Sequence, residues 1–408
     1  MELPRIISVD DHVAEPSDLW QTWLPQKYRE NGPHIERKRW GAFKLIPGAK
    51  YEMGEDPEGQ WGDAWYYEGK LIYVHKRLVA IPQAATVDGP NGVEFDRSQM
   101  TMQPITYDEM RPGCYDLEAR IKDFDLNWTD GSLAFPTFPR FCGQTFHEGD
   151  DKDLGLACVK AYNDWMVEEW CGPSRGYNIP LCLIPLWDVE LAAQETLRNA
   201  QRGVRAICFS ELPHHLGLPT IQSGYWDPLF AVCNDWDVTV CMHVGSSSTT
   251  PMGSPDAPAG AGATISFNNS MASLGEWLYS RRFITFPNLR IAYSEGQIGW
   301  IPYALERADT VWHQHDSWQH SKEVLPEPPS TYYYGRVFGC FTADRHGLRS
   351  LDEVGPHNIC FEVDYPHTDT TWPNSKPYVE KILEGQDSQV VYDVLRGNAI
   401  RMLSLDRT

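Results

Sequence analysis

The sequence predicts an α/β fold of the (β/α)₈ barrel type, in which eight parallel strands alternate with helices and close into a ring. Short apolar segments typical of buried parallel strands recur along the chain, separated by segments with helical spacing. Polar residues follow several of these apolar segments. In such barrels the carboxyl ends of the strands carry the active site, so the pattern predicts both the architecture and the place of function.

The first predicted strand lies in "PRIISVDDHVAEPSDLW", where an apolar run ends on Asp10, Asp11 and His12. Side chains alternate along a strand, so Asp10 and His12 share one face and Asp11 lies on the other. An Asp-x-His pair at a strand end can offer one oxygen and one nitrogen to a metal ion. Taken alone, such a pair is more often a solvated junction between strand and loop.

The remaining elements follow in order. "GSLAFPTFP" from Gly131 predicts a second strand that leaves through prolines, and "DKDLGLACVKAYNDWMVEEW" from Asp151 has helical spacing. "IPLCLIPL" from Ile179 predicts the third strand, and the helix "DVELAAQETLRNAQRG" after it stops at Gly203. Five further strands are predicted in "VRAICFSE", "VTVCMHVGSSS", "LRIAYSEGQIG", "GRVFGCF" and "NICFEVDYPH". Eight strands alternating with helices favour a closed barrel over an open sheet.

Residues at about 25–115 interrupt this alternation. They are rich in polar and aromatic residues, glycine and proline, and they show little periodicity. We therefore expect one barrel domain over residues 1–408, with an insertion at about 25–115 that follows strand one and covers the barrel mouth.

Composition excludes several classes of partner. With a net charge of −21, the chain has no basic excess to neutralise phosphates, which argues against binding of nucleic acid or an anionic membrane. No long apolar run predicts a membrane span, and no basic and apolar leader precedes the first strand. The ten cysteines are scattered and several lie in strand-like runs, as expected of reduced core thiols. These features predict a cytoplasmic protein with a small-molecule substrate.

The polar residues at the strand ends predict a metal site. They are Asp10, His12, Ser210, Glu211, His243, Ser294, Glu295, Glu362, Asp364 and His367. Each alone is usually a solvated or capping group, but in a barrel they converge on one mouth, where unpaired carboxylates repel one another unless they are protonated or bind a cation. Imidazole and carboxylate ligands without a thiolate suit an active-site ion such as Zn, Fe or Mn. A structural zinc site typically includes thiolates.

Several of these motifs together resemble the amidohydrolase superfamily, and more narrowly its amidohydrolase-2 branch. They are the strand-one pair, "VCMHVGSSS", "FPNLRIAYSEGQIGWIPYALERAD", "FEVDYPHTDTTWP" and "RGNAIRMLSL". The resemblance implies that Asp10, His12, His243 and Asp364 bind metal. It also implies that Asp364 can take a proton from a water molecule on the metal.

The sequence departs from the family pattern in two places. The strand-one pair begins with Asp10, a shorter ligand than the usual histidine or glutamate. Glu295 occupies the place of a strand-six histidine, and beside a cation it would be an anion, which is a ligand or a general base but a poor acid. Glu211 either bridges two metal ions, as a strand-four carboxylate does in dinuclear relatives, or is an ordinary loop carboxylate. The candidate catalytic residues are thus Asp364, Glu295 and His367.

Three activities agree with this site. The first is metal-dependent hydrolysis, with Asp364 or Glu295 as the base. The second is nonoxidative decarboxylation, which the resemblance implies, although Glu295 is a poor acid for it. The third is oxygenation at two irons or a mixed-metal pair, because carboxylates and histidines are the ligands that oxygen-activating iron uses. We rank hydrolysis first and expect one or two divalent ions per chain, and the resemblance implies a homodimer or a larger oligomer.

Overall fold

The computed structural model describes residues 3–46, 50–89, 92–254 and 256–406. The predicted domain and the predicted insertion also include residues outside these ranges. Within the described ranges, no helix combines the length and the apolar character that a membrane span requires.

Eight strands form two sets of parallel neighbours, as the sequence predicts. In chain order they are β1 (Ile6–Val13), β2 (Thr129–Pro136), β3 (Asn178–Ile179), β4 (Ala206–Phe209), β5 (Thr239–His243), β6 (Arg290–Ser294), β7 (Val337–Phe341) and β8 (Ile359–Phe361). One set is β1-β2-β3 and the other runs in order from β4 to β8.

Backbone contacts join the two sets into a closed barrel. Between β3 and β4, an isolated parallel bridge pairs Cys182 with Ile207. Between β8 and β1, the Asp364 amide donates to the Asp10 carbonyl at 2.9 Å, and the His12 amide donates to the Tyr365 carbonyl at 2.7 Å. The two hydrogen bonds between β8 and β1 fix the strand ends that carry Asp10, His12 and Asp364.

Helices follow the strands on the outside of the barrel. The longer ones are Leu117–Leu126, Lys152–Trp165, Val189–Ala200, Asp227–Asp235, Asn268–Tyr279, Ile301–Gln314 and Ser375–Ile382, and short helices close the chain at Ser388–Tyr392 and Asn398–Met402. Asp151 and Asp188 cap the two helices that the sequence predicts most clearly, because each side chain accepts amide hydrogen bonds from the first turn.

The chain between β1 and β2 forms antiparallel sheets that the sequence analysis did not predict. Strands His34–Trp40, Gln60–Tyr67 and Lys70–Val74 form one sheet. Two hairpins pair Lys44–Ile46 with Lys50–Glu52 and Thr86–Gly89 with Gly92–Phe95. We call residues 25–115 the β1–β2 segment.

Strand three is shorter than predicted. Only Asn178 and Ile179 pair continuously with β2, and Cys182 makes a single bridge to β4. The reason is local: Pro180 and Pro185 have no amide hydrogen to donate to a neighbouring strand, so an apolar extended segment does not become a regular strand.

Candidate metal centre

The barrel mouth brings six of the predicted strand-end residues together in two overlapping groups. Asp10, His12, His243 and Glu295 form one group, and His12, Glu295, Asp364 and His367 form the other. Each residue offers one possible ligand atom, and within a group these atoms all lie within 4.8 Å of one another. The groups share His12 and Glu295.

The closest approaches are between imidazole nitrogens and carboxylate oxygens. His243 Nε2 lies 3.3 Å from Asp10 Oδ2, and His12 Nε2 lies 3.5 Å from Asp364 Oδ1 and 3.7 Å from Asp10 Oδ1. Ligand atoms bound to one ion at about 2.1 Å lie roughly 3.0–3.5 Å apart, so this spacing fits a shared cation.

The same atoms are buried without partners. Both carboxylate oxygens of Asp10 and of Asp364, and the Nε2 atoms of His12 and His243, make no hydrogen bond within the described part of the protein. All four side chains are at most 2% exposed. Buried polar groups are normally satisfied, and each one left unpaired costs free energy. A divalent ion would satisfy all four residues at once, so the residues fit a metal ion.

His243 is held in the tautomer that a ligand needs. Its Nδ1 lies 2.6 Å from the Val244 carbonyl and donates its hydrogen there, which leaves the lone pair of Nε2 directed at the cluster. The ring of Phe141 stacks on the imidazole with centroids 4.2 Å apart and fixes its plane.

His12 and His367 stack face to face, with ring centroids 3.5 Å apart. Burial lowers the pKa of both: that of His12 falls well below its usual range and that of His367 falls to about 4. Both rings are therefore neutral near pH 7 and are available as ligands or hydrogen-bond partners. His367 Nδ1 lies 3.3 Å from Asp364 Oδ1, so it touches the cluster from the side of β8.

The carboxylates repel one another in the absence of a cation. Burial, and then the charge of Glu295, raise the pKa of Asp10 and of Asp364 well above the usual range. Glu362, which is buried and directly follows β8, has its pKa raised well above the usual range by burial and then by the charge of Asp10. A bound cation would oppose these shifts by favouring the charged carboxylates.

Among the six residues of the two groups, Glu295 lines a large cavity above the cluster. Its side chain is 30% exposed, and Oε2 lies 3.9 Å from His243 Nε2. Its backbone is left-handed, with φ 55°, and its amide donates to Glu362 Oε2 at 3.1 Å. This turn directs Glu295 between the buried cluster and the cavity.

The structure places Glu211 outside both groups of possible ligands in the described part of the chain. Its carboxylate instead accepts hydrogen bonds from the Gly245 amide at 3.3 Å and from Ser247, Asn269 and Ser270 at 3.2–3.3 Å. These donors belong to the loop and the helix that follow β5. Glu211 therefore anchors the loop after His243, which agrees with the loop-carboxylate alternative.

Replacement of Glu211 by glutamine is expected to flatten the pH dependence of stability without loss of metal. Burial raises the pKa of Glu211 from 4.5 to about 7. The unfolded chain releases this proton near pH 4.5, whereas the folded chain keeps it until about pH 7. The free energy of unfolding therefore falls as pH rises through this window, by up to about 3 kcal/mol. Denaturant titrations of both proteins from pH 4.5 to 7.5 measure the difference. A loss of metal in Glu211→Gln would instead support the bridging role.

Two residues support the strand ends, and of these only Arg120 has no place in the sequence-based predictions. Arg120 is fully buried and donates to the His12 carbonyl at 2.6 Å, which holds the end of β1. Asp11 lies on the opposite face from its neighbours, as alternation predicts, and accepts hydrogen bonds from the Ser132 hydroxyl and, at 2.7 Å, from the Tyr365 amide. Nothing in a helical arginine pattern distinguishes Arg120 from a surface residue, so no sequence signal pointed to it.

The cavity above the cluster has a volume of about 1040 Å³. Aromatic side chains form much of its wall, and its charged lining residues include Arg97, Glu295, Asp344 and Asp369. The aromatic lining residues are Phe95, Phe267, Trp300, Trp372 and Tyr378.

Comparisons with known proteins extend these findings. A family model described as amidohydrolase (Amidohydro_2) matches residues 72–405. The fold resembles that of an amidohydrolase from Mycobacterium avium subsp. paratuberculosis K-10, with a TM-score of 0.69 and 17% identity over 99% of this chain and 100% of the other. No curated protein sequence gives a significant match.

Two decarboxylases have similar folds. A 5-carboxyvanillate decarboxylase from Novosphingobium aromaticivorans, complexed with manganese and a nitrobenzoic acid, matches with a TM-score of 0.58 and 19% identity over 72% of this chain and 81% of its own. A dihydroxybenzoic acid decarboxylase from Polaromonas, with bound manganese and 2-nitroresorcinol, matches with a TM-score of 0.56 and 17% identity over 73% and 89%. At these identities the likeness establishes the fold.

Proposed function

This chain belongs to the amidohydrolase family, as its motifs predict, and from that premise we propose that it is a metal-dependent hydrolase of a small organic substrate. The observation that carries the proposal is the position of Glu295, whose carboxylate faces both the buried ligand cluster and the cavity. A carboxylate at this place suits a general base.

We propose that Asp10, His12, His243 and Asp364 bind the first ion and that Glu295 also contacts the metal centre. The unpartnered atoms of the first four residues support this assignment. The ligands are nitrogen and oxygen only, which suits Zn, Fe or Mn. The second group of possible ligands includes His367 and could bind a second ion that shares Glu295 with the first.

The chemistry divides between the metal and the chain. Asp10, His12, His243 and Asp364 would hold a divalent ion, which would supply Lewis acidity for the activation of water and of a substrate carbonyl. Glu295, which faces the cavity, and Asp364, which is buried beside His367, are the two carboxylates that would serve as the base. His367 Nδ1 lies 3.3 Å from Asp364 Oδ1, so this imidazole is placed to exchange a proton with the aspartate. The stacked ring of His12 limits the rotation of His367.

Decarboxylation is the second candidate. The fold likeness to manganese decarboxylases and the aromatic wall of the cavity favour it. Glu295 argues against it, because an anionic carboxylate is a poor proton donor to a ring carbon. Oxygenation at two irons is the third candidate, favoured by the two overlapping ligand groups.

Metal analysis and activity assays separate these candidates. We expect protein purified without added metal or chelator to contain about one Zn or Mn ion, to hydrolyse amide or ester substrates, and to release no CO₂ from aromatic acids. Two irons per chain with consumption of O₂ would favour oxygenation, and CO₂ release would favour decarboxylation. A protein that gains no metal after reconstitution would overturn the proposal.

Removal of the metal is expected to lower the melting temperature by several degrees. The ion binds only the folded cluster, so its binding free energy adds to stability. The buried carboxylates then repel one another again. Differential scanning calorimetry before and after dialysis against a chelator measures the change, and re-addition of the metal must restore the original melting temperature.

We also propose that residues 1–408 form one domain, and that the β1–β2 segment is an insertion that covers the mouth. Arg97 supports this. Its guanidinium donates to the Thr368 carbonyl at 2.8 Å and to the Thr370 carbonyl, and it lines the cavity together with Glu295. The segment thus holds the loop that follows His367.

Replacement of Arg97 by glutamine is expected to lower kcat/KM about three- to tenfold while metal content stays unchanged, because two charge-assisted hydrogen bonds to the loop are lost. Steady-state kinetics and metal analysis measure both effects. Arg39→Gln is the matched control, since Arg39 lies in the same segment, donates to the Gly59 carbonyl within that segment, and is not among the residues that line the cavity. Equal effects of the two variants would contradict the covering role.

A further inference from the structure

A second groove lies beside the main cavity, with a volume of about 620 Å³. The two spaces share Ala343, Asp344 and Tyr378 in their walls. Tyr378 is half-buried and its hydroxyl donates to the Thr342 carbonyl at 3.1 Å, so its ring is fixed between them. The cavity and the groove therefore adjoin each other at this shared wall.

The far side of the groove is basic. Arg345, Arg349 and Lys381 line it, and none of them makes an ion pair within the described ranges. Three cations without a carboxylate partner in the described part of the chain thus lie around one groove that adjoins the main cavity.

The acidic residues of the groove do not neutralise this charge. The Asp344 carboxylate accepts hydrogen bonds from the amides of Ile298, Gly299 and Gly347 at 2.5–2.8 Å and caps the helix that begins at Arg345. Glu384 is exposed and lines the same groove, but forms no ion pair with the three cations. One free carboxylate thus faces three cations.

The main cavity has room for a ligand larger than a single ring. A cavity of about 150 Å³ holds benzene, and drug-sized ligands fill pockets of about 300–1,000 Å³. A cavity of about 1040 Å³ next to a groove of about 620 Å³ is much larger than a monocyclic aromatic acid requires.

We propose that the groove binds the anionic end of an extended substrate, whose apolar or aromatic body lies in the main cavity and whose reacting group lies at Glu295. The anionic end is a carboxylate or a phosphate held by Arg345, Arg349 and Lys381. This inference rests on the proposed function for the place of the reacting group. The recognition of the anion itself needs no turnover.

Equilibrium binding of a graded series of probes to the metal-loaded protein tests the proposal. The probes are ω-phenylalkanoates from phenylacetate to phenyldodecanoate, the corresponding ω-phenylalkanols, and the ω-phenylalkyl phosphates, measured by calorimetry. We expect the anions to exceed the alcohols in affinity about tenfold, but only above the chain length that reaches the groove. A larger advantage of the phosphates than of the carboxylates assigns the anionic end to a phosphate, and equal advantages assign it to either anion.

Charge-removing variants identify where the anion binds. Arg349→Gln and Lys381→Gln are each expected to lose most of the advantage of the anion and to leave the affinity for the alcohols unchanged. Arg175→Gln is the matched control, because Arg175 is exposed and immediately precedes β3 at the opposite end of the barrel. An anion advantage that survives in both groove variants, or that falls equally in the control, overturns the proposal. An advantage lost on removal of the metal but not in the groove variants places the anion at the metal centre and also overturns it.

The same series keeps the two proposals distinguishable. If the probes show the expected dependence on length and on Arg349 while no ester or amide is hydrolysed, the groove stands and the hydrolase proposal fails. If hydrolysis occurs but the anion advantage is absent, the groove proposal alone fails.

Discussion

Asp364→Ala is expected to abolish metal binding and to reduce turnover more than about a thousandfold, the scale seen when one member of a catalytic unit is removed. Asp364 contributes two buried, unpartnered oxygens to the cluster. It lies within 3.5 Å of both His12 and His367. Elemental analysis of the purified variant and steady-state kinetics measure the two losses.

Added metal should stabilise the wild type but not a variant that lacks the Asp364 carboxylate. In metal-free protein, Asp364 is a buried carboxylate whose pKa is raised by burial and by Glu295. Its removal relieves that cost. Because alanine is strained at the left-handed backbone of this position, with φ 58°, the comparison uses Asp364→Asn. Metal-free Asp364→Asn is expected to melt no lower than metal-free wild type, whereas added metal raises the melting temperature of the wild type alone.

Asp369→Ala is the control for both measurements. Asp369 is an exposed carboxylate of the same loop that lines the cavity but belongs to neither ligand group. It should keep its metal and its dependence of melting temperature on metal. Full metal content and full activity in Asp364→Ala would refute the assignment of Asp364, and a matching loss in Asp369→Ala would show that the loop, not the ligand, matters.

The sequence allowed the barrel to be predicted because each strand has its own local signal. An apolar run followed by a polar strand end is visible in a few residues, and eight such runs in alternation with helices leave few other folds. Asp10, His12, His243, Glu295, Asp364 and His367 were predicted to lie together in the same way, because barrel topology brings all strand ends to one mouth.

Other features depend on contacts between distant parts of the chain, which no short segment encodes. Arg120 belongs to an ordinary helical pattern, and only the packing of its helix beneath β1 gives it the carbonyl of His12. Glu211 ends a strand just as the cluster residues do, yet four donors from the loop and helix after β5 hold its carboxylate elsewhere. The antiparallel strands of the β1–β2 segment carry too little alternation to be recognised.

The choice between hydrolysis and its alternatives depends on Glu295. Glu295→Gln is expected to lower metal content and to reduce turnover by two to four orders of magnitude, roughly the contribution of a general base. Glutamine has the same length and the same preference for backbone conformation, so the left-handed turn at this position, with φ 55°, is under no new strain. The change is therefore one of charge and basicity alone.

Glu295→His tests the same residue from the other side, since histidine restores the usual ligand of the family at this strand end. We expect this variant to bind one metal ion and to lose the base that the hydrolase mechanism needs. The rival role for Glu295 is an ion pair with a neighbouring arginine, such as Arg205 or Arg336. Arg205 instead donates to the carbonyls of Ala200 and Val204, and no ion pair joins Glu295 to an arginine in the described ranges.

Metal content of the two variants decides between these roles. A ligand role predicts less metal in Glu295→Gln and about one ion in Glu295→His, whereas a purely structural role predicts unchanged metal in both and an altered melting temperature. Asp369→Asn, which neutralises an exposed carboxylate of the same cavity, controls for the general effect of charge. If Glu295→Gln retains its full metal content and turnover, Glu295 is neither ligand nor base. The second ion, and with it oxygenation at two irons, then loses its bridging carboxylate, and the remaining residues describe a mononuclear site built on Asp10, His12, His243 and Asp364.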